Sequence, residues 1–548
     1  MQAQIDAAIR DGQPLVKLPA GTVRLAKGLR IQDAKGITVD GTGTTLVVAD
    51  YKGYGVDFIR CRDVALKGLT LDFDPLPFTQ GTIAARAPDK SWAEFDIHEG
   101  YPDLTEEYLV RYAHIFDRDQ VRWKPDVPVV YTRRTLALTK RRGRVEVRRE
   151  NGFLDHVEAG DRIVLNMRTG FAIRFLQCEN VRVEGVTVLT APGCGVIARY
   201  MKGDNRFQYD IRPGPTPKGA SQPRLMSTCA DGFNFACARR GPVLEDSHFS
   251  FMGDDSVNIH GPTFLVVGVP GPTELLIAVP YGPDPIPWLV EPGDAARGLH
   301  ADNYAIIGQA PTASIQCETN PAPALLEKVH AFWPRLKAGS GAVYRLALRA
   351  PLNVAPGDAL DIPAVSAPQF RISNCEFKDF AGQMRLLSSH GIVENNLMVR
   401  TGGIQMEPHY AFWREAGWVE DVIVRNNRLV DTGRRPEAYS PWRSELGAIS
   451  VSARKEDPKS PNPFFNGNRH IVIENNTIDG CPVAGIYVRC ASDVTVRGNA
   501  VSHTNYVSAP DAGSEAGFDV KDPIDVRGVP EVTVTGNRIT DVGAPPND

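Results

Sequence analysis

The sequence predicts an all-β protein: a right-handed parallel β-helix with two inserted antiparallel β-barrel domains. Short alternating strands joined by Asn or Gly turns recur roughly every 20–25 residues, a spacing typical of solenoid repeats. Two such stretches are "GFAIRFLQCENVRVEGVTVLT" and "HIVIENNTIDGCPVAGIYV". The strands are too short for a sandwich, so each coil has to bury its inward side chains against its neighbours. The recurrent V/I-x-x-N-x-x pattern predicts an Asn in a left-handed turn, with its amide stacked on the next coil.

Two interruptions of the coil pattern predict the domain organisation. Segments such as "TLALTKRRGRVEVRR" and "AVYRLALRAPLN" have the pattern of antiparallel strands with Gly and Pro turns. Near the start, "IDAAIRDG" predicts a short amphipathic helix that caps the first coil. The predicted division is 1–74 for the cap and first coils, 75–168 for the first barrel, 169–261 for coils with the candidate catalytic residues, 262–368 for the second barrel and 369–548 for the C-terminal coils.

Composition narrows the classes of partner. The 61 basic and 65 acidic residues give a net charge of −4, which offers no electrostatic argument for a nucleic-acid partner or an anionic membrane. No stretch approaches the roughly 20 apolar residues of a membrane span. The nine Cys are scattered, with no CxxC pair, and predict buried thiols in preference to zinc ligands or a disulfide framework.

Motifs for accessory groups and targeting are missing from the sequence. There is no calcium loop or nucleotide motif, so we expect no metal and no cofactor. The N-terminus has no basic-then-apolar leader. We expect a periplasmic or secreted protein whose leader is absent from this chain, with a cytoplasmic location not excluded. A homodimer is left open.

The stretch "FSFMGDDSVNIHG" places two adjacent carboxylates, Asp254 and Asp255, within an apolar run. Aligning "ADGFNF" with "DDSVNI" on their inward residues sets Asp231 level with Asp255 in the adjacent coil, about 4.8 Å away. Asp254 comes one residue earlier, at the bend that enters the strand. The alignment therefore predicts that all three aspartates face one pocket.

Clustered carboxylates suit the cleavage of a glycosidic bond. Such cleavage needs one protonated carboxyl as the acid and one ionised carboxylate as the base or nucleophile. Mutual repulsion raises the pKa of one member, so that it keeps its proton near neutral pH. An ordinary polar turn and a calcium-binding aspartate ladder are the alternatives for this pattern.

The same alignment predicts groups that bind the substrate around the aspartates. These residues lie in the outward-facing columns of successive coils: Asn234, Asn258, His260, Arg199, Arg385, Gln405 and Glu407. Arg174 is a further cation upstream. Three tryptophans in later loops have faces that either stack on a sugar ring or cover the flank of the helix: Trp413, Trp418 and Trp442. The polar segment 198–229, just before Asp231, is interpreted as a wall of the pocket.

The motifs "CADGFNF" (229–235) and "MGDDSVNIHG" (252–261) resemble glycoside hydrolase family 110. Members of that family are bacterial exo-acting α-galactosidases that remove α-1,3-linked galactose, including that of blood-group-B-type glycans, with inversion. The family has a parallel β-helix with inserted β-barrel domains. The resemblance implies Asp254 as general acid, Asp231 and Asp255 as the base pair, and a glycan with terminal galactose as substrate.

Other functions are compatible with a β-helix that carries clustered aspartates. Polygalacturonases share the triple-aspartate logic on the same fold, but their "GHG" and "RIK" signatures are missing here. The β-helical β-xylosidases of glycoside hydrolase family 120 also carry inserted sheets, with a retaining Asp/Glu pair. The alternatives are therefore a hydrolase of galacturonan or of a xyloside, and a non-catalytic carbohydrate-binding β-helix protein.

Overall fold

The computed structural model describes residues 1–548 except 126, 280–283, 333–340, 381, 411–412, 434–445, 454–464, 508–519, 521 and 547–548. The described chain winds into a parallel β-helix with three faces. We number the faces in the order in which a coil crosses them, beginning with the face that carries the candidate site.

Face 1 is a twelve-stranded sheet in which every strand except Glu415–Ala416 stacks in parallel on the next coil. The parallel register follows from alternation, because one apolar side chain in two points into the interior and packs on its equivalent one coil away. The strands of face 1 are Leu29–Gln32, Tyr54–Ile59, Phe171–Leu176, Val196–Met201, Phe233–Ala238, Val257–Pro262, Met384–Leu387, Ile404–Met406, Gly447–Val451, Ala484–Val488 and Ile524–Val526.

Faces 2 and 3 form one 22-stranded sheet, because two long strands, Glu179–Val188 and Arg206–Ile211, run across both faces. The other strands of face 2 are Leu15–Lys17, Thr38–Asp40, Arg62–Lys67, Val243–Glu245, Arg371–Ser373, Ile392–Glu394, Glu420–Arg425, Asn468–Glu474, Ala491–Arg497 and Val532–Thr535. The other strands of face 3 are Gly21–Leu25, Thr44–Val48, Thr70–Phe73, His248–Ser250, Glu376–Lys378, Leu397–Val399, Arg428–Val430, Thr477–Cys481, Ala500–Thr504 and Arg538–Thr540.

An asparagine ladder fixes the turn between faces 2 and 3 in the C-terminal coils. The Nδ2 of Asn427 donates to the Oδ1 of Asn476 at 3.0 Å, and the Oδ1 of Asn427 accepts from the amide of Asn396 in the coil before. Asn499 and Asn537 continue the ladder. The left-handed residue is the one before each ladder residue, as at Asn426, whose φ is 56°. The predicted turn and the predicted stacking are therefore both present, on adjacent residues.

The interior is apolar from the first coil onward. The predicted N-terminal helix is present as Gln2–Arg10, and it buries Ile5 and Ala8 against the open end of the first coil. Aromatic rings stack between coils further along, as at Phe58 and Phe175, whose centroids lie 4.9 Å apart. None of the nine Cys forms a disulfide, and all but Cys317 are buried, as predicted.

The first insertion is a seven-stranded antiparallel sheet. Its strands are Phe78–Arg86, Trp92–Ile97, Tyr112–Phe116, Val130–Tyr131, Arg134–Ala137, Arg142–Glu146 and Arg162–Asn166, with 3-10 turns at Glu106–Tyr108 and Arg149–Asn151. Its two edge strands, Val130–Tyr131 and Arg134–Ala137, are consecutive in the chain, so the sheet has to curl until its edges meet. Among the described residues no ladder pairs these edges. The first insertion is thus a rolled antiparallel sheet, where the sequence predicted an antiparallel β-barrel.

The second insertion is a closed six-stranded barrel, as predicted. Its strands are Phe264–Gly271, Glu274–Val279, Ala295–Leu299, Ile306–Cys317, Ala342–Leu348 and Ala359–Asp361. Two helices, Ile286–Leu289 and Pro323–Phe332, and a 3-10 turn at Pro363–Val365 accompany them.

The insertions emerge at opposite ends of the face 1 strands. The first leaves the helix after the face 3 strand Thr70–Phe73 and returns just before the face 1 strand Phe171–Leu176. The second leaves directly after the face 1 strand Val257–Pro262. Face 1 therefore lies between two walls. Among the described residues no helix is long and apolar enough to cross a bilayer.

The asparagine ladder predicts a local loss of stability when one rung is removed. Asn427→Ala deletes the bonds of Nδ2 to Asn476 and to the carbonyl of Val393, and leaves the buried amide of Asn396 without its acceptor. At about 1 kcal/mol for each net hydrogen bond, we expect the free energy of unfolding to fall by about 2–4 kcal/mol. Denaturant titration measures it. The exposed neighbour Asn426, changed to Gly, keeps the left-handed turn and should shift stability by less than about 1 kcal/mol; equal losses in both variants would contradict the ladder.

Candidate active site

The three aspartates meet at the turn that enters face 1. The strands Phe233–Ala238 and Val257–Pro262 are in parallel register, with Asn234 opposite Asn258, as the alignment predicted. Asp231 precedes the first strand and Asp254 and Asp255 precede the second. One carboxylate oxygen from each aspartate lies within 4.8 Å of the others. Three acidic side chains from two coils thus share one pocket.

A glycine allows the next coil to pack against the aspartate doublet. A Cβ placed on Gly382 would lie 2.1 Å from the carbonyl oxygen of Asp254 and 2.5 Å from the nitrogen of Asp255. Neither backbone atom can move aside. From the same turn, the amide of Gln383 donates to the Oδ1 of Asp255 at 3.1 Å, so the close approach orients this carboxylate.

Each carboxylate has a different partner. Asp254 accepts a 2.7 Å hydrogen bond from Arg168, which also donates to the carbonyl of Gly253. Asp255 accepts from the Nε of Arg385 at 3.1 Å. Among the described groups, Asp231 accepts a side-chain hydrogen bond only from a neutral one, the Nδ2 of Asn234, at 2.5 Å. Two of the three carboxylates are therefore balanced by a guanidinium and one is not.

This difference sets the protonation of the cluster. Burial, together with the negative charges of Asp254 and Asp255, raises the pKa of Asp231 well above its usual range. Burial also raises the pKa of Asp255, but the opposing charge of Arg385 limits the rise to about 6. Burial and the neighbouring charges thus favour the protonated form of Asp231, while Arg385 favours the ionised form of Asp255.

Arg168 was not among the predicted site residues. It follows the last strand of the first insertion, its φ is 49°, and its guanidinium lies 4.3 Å from the centre of the Tyr112 ring. The insertion is tied to the aspartate turn by a second bond, from the Nδ2 of Asn166 to the carbonyl of Cys229 at 2.8 Å. The first insertion therefore supplies the cation of Asp254. The only signal for Arg168 in the sequence is that it is a charged residue where the chain returns to the coils.

Glu415 was missed as well. It lies in a strand of two residues that pairs antiparallel with Gly261 and Pro262 at the far end of face 1. The Nδ2 of Asn258 donates to both of its oxygens, at 3.3 and 3.4 Å, and the Nε2 of His260 lies 3.8 Å away. Burial raises the pKa of Glu415 above its usual value. Coil alignment cannot find a residue on a segment that folds back against the coils.

The structure brings five of the seven predicted binding residues close to the aspartates. Asn234, Asn258, His260 and Arg385 are buried members of the cluster. Arg199 pairs in register with Ala236, which pairs in turn with His260 in the next coil. The Nη1 of Arg199 donates to the carbonyl of Asn234 at 3.2 Å. Burial lowers the pKa of His260 to about 3, so its ring is neutral.

The other predicted residues lie farther away. Gln405 pairs with Arg385 one coil further on, about 10 Å from the Asn258 coil at the usual spacing. Its Nε2 donates to Glu407, and both side chains are buried. Arg174 lies three coils upstream of Asn258, and its guanidinium is bound by Asp57. Trp418 is packed beside Tyr410, Trp413 is about half exposed, and Trp442 lies outside the described residues.

The segment 198–229 differs from the predicted wall. Its first part belongs to the ordinary coil strands Val196–Met201 and Arg206–Ile211. The remainder packs on the first insertion, where the hydroxyl of Tyr101 donates to the carbonyl of Gln222. Buried Arg224 binds Asp72 at 2.8 and 3.0 Å. This segment therefore anchors the insertion to the helix.

Two described clusters have the geometry to hold a cation. The oxygens of the three aspartates are close enough to bind one together, and so are Glu420, Asp421 and His470 on the surface. In the aspartate cluster, the guanidiniums of Arg168 and Arg385 already contact two of the three carboxylates. That arrangement favours charge balance by arginine, and the prediction of no metal stays a prediction.

Comparison with known proteins agrees with this fold. A family model described as "Right handed beta helix region" matches residues 464–545, which supports the predicted handedness. The chain is 22% identical to "Alpha-1,3-galactosidase B" of Phocaeicola vulgatus over 87% of this chain and 80% of that protein. It is 23% identical to "Alpha-1,3-galactosidase B" of Bacteroides fragilis over 91% of this chain and 87% of that protein. The resemblance to α-1,3-galactosidases stated from the aspartate motifs is confirmed.

Among solved structures, a family 28 exopolygalacturonase of Yersinia enterocolitica aligns with a TM-score of 0.41 and 12% identity. The alignment covers 99% of this chain and 75% of that chain.

The raised pKa of Asp231 predicts a variant that is more stable than the natural protein. From about pH 4, where an unfolded aspartate ionises, up to its raised folded pKa, Asp231 binds more proton in the folded state. Stability therefore falls as the pH rises through this window. Asp231→Asn removes this penalty, and we expect a higher free energy of unfolding at pH 8, by about 1.4 kcal/mol per unit of pKa rise. The gain should vanish below about pH 4. Unfolding curves at both pH values measure it.

A matched variant tests the charge argument. Asp57 is also a buried aspartate on face 1, but it binds the Arg174 guanidinium at 2.8 and 2.9 Å. Asp57→Asn should lower stability by about 2 kcal/mol or more, because Arg174 loses its counter-charge. A loss in both variants at pH 8 would contradict the proposed protonation of Asp231.

Proposed function

We propose that this chain is an exo-acting, inverting glycoside hydrolase that releases terminal α-1,3-linked galactose from glycans. The observation that carries the proposal is the convergence of Asp231, Asp254 and Asp255 within 4.8 Å, with unequal charge balance. Glycosidic cleavage needs this inequality, because one carboxyl has to donate a proton while another accepts one. The similarity to curated α-1,3-galactosidases supports the choice of sugar and linkage.

The charges of the site favour a neutral sugar over a uronic acid. Four carboxylates, those of the three aspartates and Glu415, lie close together among the described residues. Arg168 and Arg385 are bound to two of these carboxylates, and Arg199 donates to main-chain carbonyls. A uronate carboxylate would lie beside the carboxylates of Asp254, Asp255 and Glu415, and the two guanidiniums of Arg168 and Arg385 are already bound to Asp254 and Asp255. Galacturonan is therefore the less favoured substrate.

The walls of face 1 support exo-action. The first insertion stands where the chain enters the face 1 strands, and the second insertion leaves where these strands end. The strand Glu415–Ala416 narrows the far end further, because it pairs with Gly261 and Pro262. A closed pocket accepts a chain end more readily than the middle of a polymer.

In the proposed reaction, Asp254 protonates the oxygen of the glycosidic bond as the bond to the anomeric carbon breaks. A water molecule held by Asp231 and Asp255 adds to that carbon and gives its proton to the ionised member of this pair. A carboxyl bound by a guanidinium holds a proton weakly, so the contact of Arg168 has to loosen before Asp254 can donate. In the free protein, burial and the neighbouring charges favour the protonated form of Asp231, and its carboxyl lies within 4.8 Å of that of Asp254.

The spacing of the carboxylates makes the stereochemistry a sharp test. Inverting enzymes keep the acid and base roughly 6.5–9.5 Å apart, and retaining enzymes about 5–5.5 Å. The nearest oxygens here are within 4.8 Å, so a retaining double displacement is the mechanistic alternative. Two carboxylates that jointly orient a water favour inversion in spite of the short separation.

The experiment is a screen of α- and β-linked glycosides of galactose, galacturonic acid and xylose, followed by NMR of the anomer first released. We expect cleavage of terminal α-1,3-galactosides with β-galactose appearing first. Asp254→Asn should lower kcat at least about 1000-fold, through loss of the proton donor, while the melting temperature stays within a few degrees. EDTA should leave the activity unchanged.

Other outcomes decide among the alternatives. Release of α-galactose first would replace inversion by retention. Cleavage of galacturonides or xylosides alone would overturn the choice of sugar. Full activity of Asp254→Asn would remove the mechanism, and glycan binding without any cleavage would favour a carbohydrate-binding protein.

Substrate and location are linked. Glycans with terminal galactose are found outside bacterial cells, so we propose a periplasmic or secreted enzyme. The homodimer stays a prediction.

A further inference from the structure

We propose that Glu415, together with Asn258 and His260, forms a subsite that accepts hydrogen bonds from hydroxyl groups of the terminal sugar ring. This inference rests on the proposed function, since it names the part of the substrate that the pocket recognises. The subsite lies beyond the aspartates along the face 1 strands, at the end covered by the strand Glu415–Ala416.

Glu415 is held rigidly. Its amide donates to the carbonyl of His409 at 3.0 Å, and its carbonyl accepts from the amide of His409 at 3.0 Å. Its side chain is only 15% exposed. A carboxylate that is fixed at the backbone and mostly removed from water is costly unless it makes hydrogen bonds. Only Asn258, among the described groups, donates to its oxygens, through long bonds of 3.3 and 3.4 Å.

His260 presents a second hydrogen-bond acceptor next to Glu415. The Nδ1 of His260 lies 3.0 Å from the carbonyl of Gly261, which can only accept, so this nitrogen carries the ring proton. The Nε2 of the neutral ring is then an acceptor, and it faces the Oε1 of Glu415 at 3.8 Å. That separation is too long for a hydrogen bond. A sugar hydroxyl that enters here would donate its single proton to one of these two acceptors.

Two buried amide oxygens strengthen this conclusion. Asn258 uses its Nδ2 for Glu415, and Asn234 uses its Nδ2 for Asp231. The Oδ1 of each has no hydrogen-bond partner within the described part of the chain, although both side chains are more than nine-tenths buried. Buried carbonyl oxygens without a partner are uncommon. Sugar hydroxyls are the donors that such a site would take.

The dimensions fit one pyranose ring. Asn234 contacts Asp231 directly, and Asn258 lies opposite Asn234 in the adjacent coil, about 4.8 Å away. Glu415 is bound to Asn258. A sugar with its anomeric carbon at the aspartates would therefore bring the hydroxyls of its far side to Glu415. Because the subsite consists of acceptors, it selects a hydroxyl, which donates, over a fluorine or a carboxylate, which cannot.

The test is a coupling experiment between Glu415 and individual hydroxyls. Aryl α-galactosides lacking the hydroxyl at position 2, 3, 4 or 6 are assayed with the natural protein, Glu415→Ala and Glu415→Gln. In the natural protein, one or two of these analogues should lose about 100-fold in kcat/KM, because buried acceptors are left unpaired. In Glu415→Ala the same analogues should lose less than about threefold relative to the parent galactoside, since the partner is already gone.

A matched control comes from the next glutamate in the chain. Glu420 lies on face 2 and binds Arg469, so Glu420→Gln should keep the specificity profile of the natural protein. Glu415→Gln keeps the shape of the side chain, and it carries the test if Glu415→Ala does not fold. Equal losses for every analogue in the natural protein and both Glu415 variants would overturn the subsite.

Failure of the proposed function gives a different result. If another neutral sugar is the one cleaved, the choice of galactose fails, and the coupling is measured with deoxy analogues of that sugar. If no glycoside is cleaved, binding of methyl α-galactoside is followed by NMR. Binding that weakens at least tenfold in Glu415→Gln would retain the subsite without the enzyme, and binding unchanged in that variant would overturn it.

Discussion

The site depends on the register of the parallel ladder on face 1. A shift of one residue between the Asp231 and Asp255 coils would turn every inward side chain outward, so burial of Phe233, Phe235, Val257 and Ile259 fixes the alignment. The same alignment holds Asp231 one coil from Asp255. Repulsion between carboxylates opposes this arrangement, and the continuous apolar interior of the coils on both sides outweighs it.

Unequal neutralisation then differentiates three identical side chains. Arg385 comes from the next coil, Arg168 from the end of the first insertion, and Asp231 receives only a neutral amide. The coils therefore supply the carboxylates and one cation, while an inserted sheet supplies the other cation. On the far side of the pocket, a short fold-back strand supplies Glu415. The insertions and the strand Glu415–Ala416 thus complete a site that a bare β-helix would leave open.

Periodicity in the sequence was sufficient for what the coils determine. The stacked coils, the helical cap, the register of Asn234 with Asn258 and the meeting of the aspartates follow from alternation and turn residues. Arg168 and Glu415 could not be found in this way, since their segments leave the coil and return at an angle that no repeat encodes. The sequence likewise does not indicate how far the first insertion closes, because among the described residues its edge strands are joined by a turn and not by a ladder. Gln405 was aligned correctly, in register with Asn258 and Arg385, but it lies two coils from the aspartate doublet. Alignment alone does not indicate how many coils the site spans.

The central claim is that the three aspartates act together on one glycosidic bond. A crystal structure of the Asp254→Asn variant with an uncleaved terminal α-1,3-galactoside tests it most directly. The account predicts the glycosidic oxygen about 3 Å from the side chain of residue 254, and a water molecule bound by Asp231 and Asp255 beside the anomeric carbon. The claim would be contradicted by an anomeric carbon bound away from these residues. It would also be contradicted by an Asp231 side chain that does not reach the water.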